Sequence, residues 1–546
     1  MVESEKTVKK TFLSGVLLLT LSTVLVKIIG LLYKIPMLSY LGAVGMGYFN
    51  SAYEIYALFC VISTAGLPVA LSVLISASLA KGNEEGAQKV FRASMLIFLI
   101  IGAAGTAAMI FFAPSFCKMI QSENAYGCIL AISPTVFLVC LSSALRGYFQ
   151  GYQRMLPTAL SQLLEAIGKL AFGLLLAKWA LERGYDTPTV AAAAGVGLTL
   201  GTLLSLVYLI LEKLFFQAKR KRGKATSKPQ NTEKYREIWG SRVKLAVPMT
   251  LGASAVSLTK LIDMTMILRQ LQAIGYTEIA ANDAYGSYTT LALSVFGLLP
   301  TLVNSIALPL VPMLSASIAE GNRERQAQMI RSSYRLTALF AIPASLGISA
   351  FSRPVLLLLF GNEPSSIDTA APLLSILGIS VFLSCMITAT NSVLHAYRSV
   401  NKPVLAMLVG ALLKIVSAYL LIGNERIGLY GAPISTLLCN LAVVALNLWF
   451  AYGLCKDADL SGVFWKPFAA SAVSTGIAYG VYLWLVLRFG EHAIFGMGGI
   501  LLTGALYLVF ACLFGALDTE DLLAMPMGTK ICAVLFRIGL LREKKK

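Results

Sequence analysis

The chain has 546 residues, of which 57% are apolar and only 13% are charged, and its mean hydropathy is +0.75. A water-soluble globule cannot hide that much apolar surface, so the composition excludes a soluble enzyme and points to a protein that lives in a bilayer. The formal net charge of +18 invites nucleic acid as a partner, but the cations sort by membrane side instead, and no nucleic-acid role is expected.

Segments of about 20 apolar residues, each able to cross roughly 30 Å of hydrocarbon at 1.5 Å per residue, recur along the chain. Fourteen are predicted, near residues 11–34, 47–79, 91–113, 125–147, 157–179, 189–213, 242–269, 284–314, 330–351, 370–396, 403–423, 429–454, 464–488 and 494–516. The first is too long for a signal-peptide core and no A-x-A site follows it, so it reads as a retained helix. The runs are continuous rather than alternating, which argues against β-barrel strands. Between the first two, LGAVGMGYF with Gly42, Gly45 and Gly47 reads as a tight interhelical turn, since it lacks the strand–turn–helix context of a phosphate loop.

After the second segment comes SASLAKGNEEGAQKVFRAS (76–94), and 239 residues later SASIAEGNRERQAQMIRSS (315–333), with nine identities in nineteen positions. VFLVCLSSALRGYFQGYQRMLP from Val136 pairs in the same way with VFLSCMITATNSVLHAYRSVNKP from Val381, and 33 residues beyond each valine lie Lys169 and Lys414. STVLVK ending at Lys27 resembles AVSLTK ending at Lys260. The chain is therefore an internal duplication. Six helices per copy preserve orientation, so the copies are expected to be parallel lobes. The fold class expected is all-α and polytopic, with about 14 transmembrane helices: two parallel six-helix repeats and two further C-terminal helices. Domains are predicted at 1–214 (first lobe), 215–240 (basic linker), 241–455 (second lobe), 456–518 (helices 13 and 14) and 519–546 (basic amphipathic tail). GLP at 66–68 and LLP at 298–300 occupy matching places and suit either a gate or a static kink.

Lys and Arg crowd the amino terminus, every second loop (among them Lys81, Lys89, Arg92, Arg146, Arg154, Arg323, Arg325 and Arg398), the linker and the tail, whereas the alternate loops hold few. The positive-inside rule then puts both termini in the cytoplasm. The linker, QAKRKRGKATSKPQNTEKYR at 217–236, cannot form a core and should attract anionic membrane lipid. Nine cysteines include no C-x-x-C pair and read as small apolar fillers. With two histidines, no H-E-x-x-H and no P-loop, zinc chemistry and direct ATP hydrolysis have no visible apparatus, and neither a metal nor a cofactor is expected.

Chemistry should lie where charge is held inside the hydrocarbon, because such a charge costs at least about 2.5 to 3.5 kcal/mol unless it faces protein or water. Lys27, Lys260, Lys169 and Lys414 fall at matched places in the two copies and are the substrate-binding candidates, with Lys34 beside them. The alternative is that carboxylates neutralise them: Glu165 and Lys169 are spaced i,i+4, and Lys260 and Asp263 i,i+3. Lys34, like Arg269, could also snorkel to the interface. Glu54, Glu165 and Asp263 are candidates for ion coupling, though Glu54 would equally suit a pair with Lys27 or Lys34. Asn50, Asn304 and Asn391 could serve a sugar or helix packing.

KTFLSG at 10–15, K-x-x-G at Lys27 and Gly30, AGLPVALS at 65–72 and above all LSSALRGYFQGYQRMLPTALSQLLE at 141–165 resemble the stage V sporulation protein B group of polysaccharide-biosynthesis exporters. That group lies in the multidrug/oligosaccharidyl-lipid/polysaccharide flippase superfamily, with lipid II flippases as close relatives. The resemblance implies a fourteen-helix transporter of the bacterial cytoplasmic membrane, with alternating access around a cationic cavity and a lipid-tail groove at helices 13 and 14. It implies no catalysis, a lipid-linked glycan as partner, most plainly lipid II or a related cell-wall or spore-cortex precursor, and drive by an ion gradient or the membrane potential. Against the first-helix pattern S-R-x-x-G-x-x-R of the lipid II flippases, Lys27 corresponds to the first arginine and Gly30 is kept, but the second arginine falls on Tyr33, with Lys34 next door. The arginines expected in the second and eighth helices are not found near Cys60 or Tyr288. The alternatives are a multidrug and toxin extrusion type antiporter, which would want an acidic cavity, and a membrane-embedded glycosyltransferase, which would want grouped carboxylates.

Overall fold

Each of the fourteen apolar stretches contains helix in the computed structural model, which describes residues 2–64, 66–222, 254, 257–307, 310–361, 363–399, 401–455 and 460–517. The first unit, Met1–Gly286, holds α1 (Val2–Thr64), α2 (Leu67–Ala80), α3 (Glu84–Phe111), α4 (Ala113–Ile120), α5 (Tyr126–Gly151), α6 (Met155–Glu182), α7 (Thr187–Arg222), α8 (residues 257–273) and most of α9 (Glu278–Ser287). The second, Ser287–Lys546, opens on a π-helical turn, Tyr288–Ala292. It continues through α10 (Leu293–Ala307), α11 (Leu310–Ala319), α12 (Arg323–Ala350), α13 (Ser352–Phe360), α14 (Pro364–Ala396), α15 (Asn401–Ile422), α16 (Gly431–Leu454), α17 (Trp465–Phe489) and α18 (Ala493–Leu513). No strand occurs among the described residues. Most of the basic linker and the amphipathic tail lie outside them.

Among the described residues ten helices are long and apolar enough to cross a membrane, or eleven if the α12–α13 pair, bent by 78°, is one span. One of the ten, Leu21–Val61, is 41 residues long and is interrupted at Gly42, whose φ of 63° and ψ of 176° leave the helical region. Glycine permits that left-handed φ without a Cβ clash. The expected turn thus shrinks to a kink at one residue, Gly42, between two helical stretches.

The duplication is visible in backbone detail. Asn83 Oδ1 accepts from Gly86 N at 2.7 Å, and Asn322 Oδ1, 239 positions on, accepts from Arg325 N at 3.0 Å. Each asparagine caps the helix that follows by satisfying an otherwise orphaned N–H, and each follows a glycine at positive φ, Gly82 and Gly321. At the other matched block, Gln153 and Arg398 share a left-handed φ of 57°, closing α5 and α14 in the same way. The proline sites differ: a break precedes α2 at Pro68, whereas Pro300 sits inside α10.

Division by compactness falls at Gly286/Ser287, one helical hairpin later than the repeat boundary in the linker. The reason is local packing. A Cβ on Gly47 would strike the Asn282 carbonyl, and one on Gly286 would strike the Ala43 carbonyl, so α1 and α9 meet backbone to backbone. Such small-residue contacts are how helices associate without help from the hydrophobic effect. The turn between α4 and α5 adds polar contacts: Asn124 Nδ2 donates to Glu278 Oε1 at 3.1 Å, Asn282 Nδ2 to Ser122 Oγ at 3.1 Å, and Gln272 Nε2 to the Gln121 carbonyl at 2.8 Å.

In the second unit α17 and α18 are fixed to α12 and α13. Tyr507 Oη donates to the Leu339 carbonyl at 2.9 Å, Arg335 donates to the Ala516 carbonyl at 3.0 Å, and Phe351 lies in an edge-on cluster with Tyr479 and Tyr482.

Candidate functional site

Seven of the eight candidate charges fall in the first unit, on α1, α6 and α8. Lys27, Lys34 and Glu54 are on α1, Glu165 and Lys169 on α6, and Lys260 and Asp263 on α8. Lys27 and Lys260 are exposed, and each feels the other's charge. Lys34 and Glu54 are half-buried, attract one another, and both sense Lys260, while Asp263 is within electrostatic reach of Glu54. Glu54 Oε2 is buried and accepts no hydrogen bond among the described residues.

Packing fixes these positions. Ser22 Oγ donates to the Ala159 carbonyl at 3.0 Å, tying α1 to the start of α6. A Cβ on Gly173 would lie 2.9 Å from the Tyr33 ring, and Tyr33 in turn stands 6.3 Å from Phe49 between centroids. Tyr33 therefore fills a seat on α6. The neighbouring Lys34 is the side chain offered to Glu54 and Lys260.

Glu165 and Lys169 form the i,i+4 pair that their spacing allows, with Nζ donating to Oε1 at 2.7 Å. The other carboxylate oxygen receives Arg146 Nη2 at 2.7 Å. Arg146 also donates through Nε to Ser161 Oγ at 2.9 Å and through Nη2 to Ser205 Oγ at 3.2 Å, so α5, α6 and α7 share one polar knot. Lys169 is seated there by glycines. A Cβ on Gly201 would strike the Lys169 backbone nitrogen and one on Gly197 the Gly173 backbone, so α6 and α7 are in direct contact. Tyr53 on α1 is within electrostatic reach of Lys169, Glu165 and Glu54 alike.

Sequence reasoning missed Arg146, which reads as a loop cation because it lies close to the end of its apolar run. It is inside α5, with a side chain only 14% exposed. The available signal was that VFLVCLSSALRGYF continues apolar beyond the arginine. It also missed Tyr53.

Lys414 lies on α15 in the second unit and is half-buried. Positions matching Glu165 and Arg146 in the second repeat are Gly410 and Asn391. A Cβ on Gly410 would strike Val443, so α15 and α16 approach too closely there for a glutamate. Asn391 instead accepts from Asn447 Nδ2 at 2.8 Å. Asn50 is buried on α1, and the side chain of Asn304 lies outside the described residues. Eight cysteines lie among the described residues, and six of them are buried. No group of three or more potential metal ligands occurs among the described residues.

A family model described as lipid II flippase MurJ matches residues 37–503. The chain belongs to the MurJ family of lipid II flippases. Stage V sporulation protein B of Bacillus subtilis (strain 168) is 25% identical over 533 residues, covering 95% of this chain and 98% of the relative. A solved structure of lipid II flippase MurJ in an inward closed conformation superposes with a TM-score of 0.69 at 16% identity, over 91% of this chain and 98% of that one. An inward-facing multidrug resistance transporter of the MATE family follows with a TM-score of 0.59 at 17% identity, over 79% of this chain and all of the other (100%). The MurJ-family fold of a multi-span membrane transporter is thus shared with MATE carriers, and the side chains must decide between cargoes.

Proposed function

We propose that this chain is a flippase that moves a lipid-linked saccharide diphosphate, lipid II or a related undecaprenyl-linked wall or spore-cortex precursor, outward across the bacterial cytoplasmic membrane. The observation that carries the reading is the charge held together in the first unit. Five cations, Lys27, Lys34, Lys260, Lys169 and Arg146, stand against three carboxylates, Glu54, Asp263 and Glu165, on α1, α5, α6 and α8. The surplus of two positive charges suits an anionic headgroup. Lysines hold phosphate as point charges without demanding one geometry, which permits release as well as capture. A headgroup that meets these charges inside the bilayer avoids the cost of bare hydrocarbon, while its tail stays in lipid.

The flippase crosses the membrane fourteen times: besides the ten helices and the α12–α13 pair, Leu21–Val61 counts as two about Gly42, because its 41 residues rise about 60 Å, twice a bilayer's hydrocarbon thickness, and α8 and the α10–α11 stretch count as one each. Both termini are cytoplasmic in it. Lys414 on α15 is a further substrate-binding residue, and Glu54 and Asp263 are the groups through which an ion gradient or the membrane potential acts. Anionic lipids meet the basic linker, and no covalent bond changes.

The MATE fold likeness favours organic cations, exported by antiport, as the rival cargo. Those would be repelled by a cationic surplus. Reconstitution with labelled lipid II, other lipid-linked glycans and cationic dyes separates the readings, with products checked for new glycosidic bonds. Headgroup translocation without dye efflux is expected, and Lys27→Ala is expected to insert normally yet lose at least about tenfold in transport, as befits one charge-assisted contact. Dye efflux alone would move the protein to the antiporters, and bond formation to the transferases.

A further inference from the structure

The Arg146–Glu165–Lys169 knot holds more charge than a structural pair needs. One carboxylate receives two cations on separate oxygens, both at 2.7 Å, and keeps a net charge of one positive unit. The two cations are not equivalent. Arg146 is anchored by Ser161 and Ser205 as well as by Glu165, with its side chain 14% exposed, whereas Lys169 has the carboxylate as its hydrogen-bond acceptor and is 23% exposed. A planar guanidinium held by three partners is fixed, but an ammonium on a four-carbon stem can swing.

We propose that Arg146 is a positioning residue that keeps Glu165 neutralised so that Lys169 can leave it for a phosphate oxygen of the cargo. The inference rests on the reading of Lys169 as part of the substrate site. Were Glu165 paired with Lys169 alone, departure of the lysine would strand a buried carboxylate, a state proteins strongly avoid. With Arg146 in place the carboxylate keeps a charge-assisted hydrogen bond throughout, and the lysine exchanges one anion for another. Tyr53, within reach of Lys169 and Glu54 alike, marks the side toward which the ammonium moves. The device belongs to the first repeat only, because Asn391 and Gly410 stand where a second Arg–Glu pair would be.

The test measures binding of undecaprenyl diphosphate to the purified full chain in detergent, with inorganic pyrophosphate as a headgroup-only arm. Arg146→Met should weaken binding about tenfold, because Lys169 is then committed to Glu165, and adding Glu165→Gln should restore it to within about threefold. Rescue by a second substitution is not expected of a merely structural arginine. Unchanged affinity in Arg146→Met, or a loss that Glu165→Gln fails to reverse in monodisperse protein, overturns the proposal. If Arg146→Met does not fold, Glu165→Gln alone decides: it removes the competitor for Lys169, so affinity must hold or rise, and a fall overturns the idea. Lys169→Met with undiminished binding also overturns it. Lys27→Ala in the same series tests the wider cargo reading separately, since Lys27 lies on α1 whereas the knot joins α5, α6 and α7.

Discussion

Lys34 and Tyr33 show how one residue of register changes the reading of a site. The family pattern places its second first-helix cation on Tyr33, yet that ring is seated against Gly173, and the charge that meets Glu54 is one residue further on. Lys34→Ala is therefore expected to reduce lipid translocation about tenfold, the worth of one lost charge-assisted contact. Tyr33→Arg should fail to restore it, because its seat faces α6; recovery of transport in the double variant would refute the assignment. The intramembrane lysines were legible in the sequence because a charge inside an apolar run is an anomaly that hydrophobic segments do not hide. Arg146 was not legible, since linear position near a segment end looks the same whether the side chain snorkels to water or turns inward to Glu165. Only the three-helix geometry tells the two apart.

At the scale of elements, the repeat was readable because its matched turns depend on local chemistry. Gly82–Asn83 and Gly321–Asn322 use the same left-handed glycine and the same side-chain cap. Asn83→Ala should cost about 1 kcal/mol of stability, the usual worth of an N-cap, seen as a lower melting temperature in detergent, with Asn322→Ala matching it. Unequal losses would mean that the two copies no longer share this role. The α6–α7 seam was not readable. Gly168, Gly173, Gly197 and Gly201 look like ordinary glycines of membrane helices until the two backbones are placed side by side. Gly201→Leu is expected to separate α6 from α7 and to lower both stability and transport, whereas leucine at Gly453, where a Cβ meets nothing, should leave both unchanged.

For the whole molecule, charge asymmetry predicts sidedness, and cysteine chemistry can check it. Cys117 on α4 lies between two membrane segments, and burial, with Glu123 and Glu278 nearby, pushes its thiol up to about 11. Its thiolate emerges only as pH rises toward that value, so maleimide labelling should stay low from pH 7 to about 8. On that quiet background, a cysteine introduced at Asp186 should react with an impermeant maleimide on intact cells, and one at Asn83 only after lysis; the reverse pattern would invert the topology. Gene duplication also leaves a mark at this scale. The hairpin α8–α9 begins the second copy by descent but settles on the first by contact, through Gly47, Gly286 and the Ser122–Asn124 turn. Ancestry and assembly therefore divide this polypeptide at different points. A truncation ending at residue 222 strips a mated surface bare and should aggregate on size exclusion, while one ending at residue 286 carries its own cover and should run as a single species.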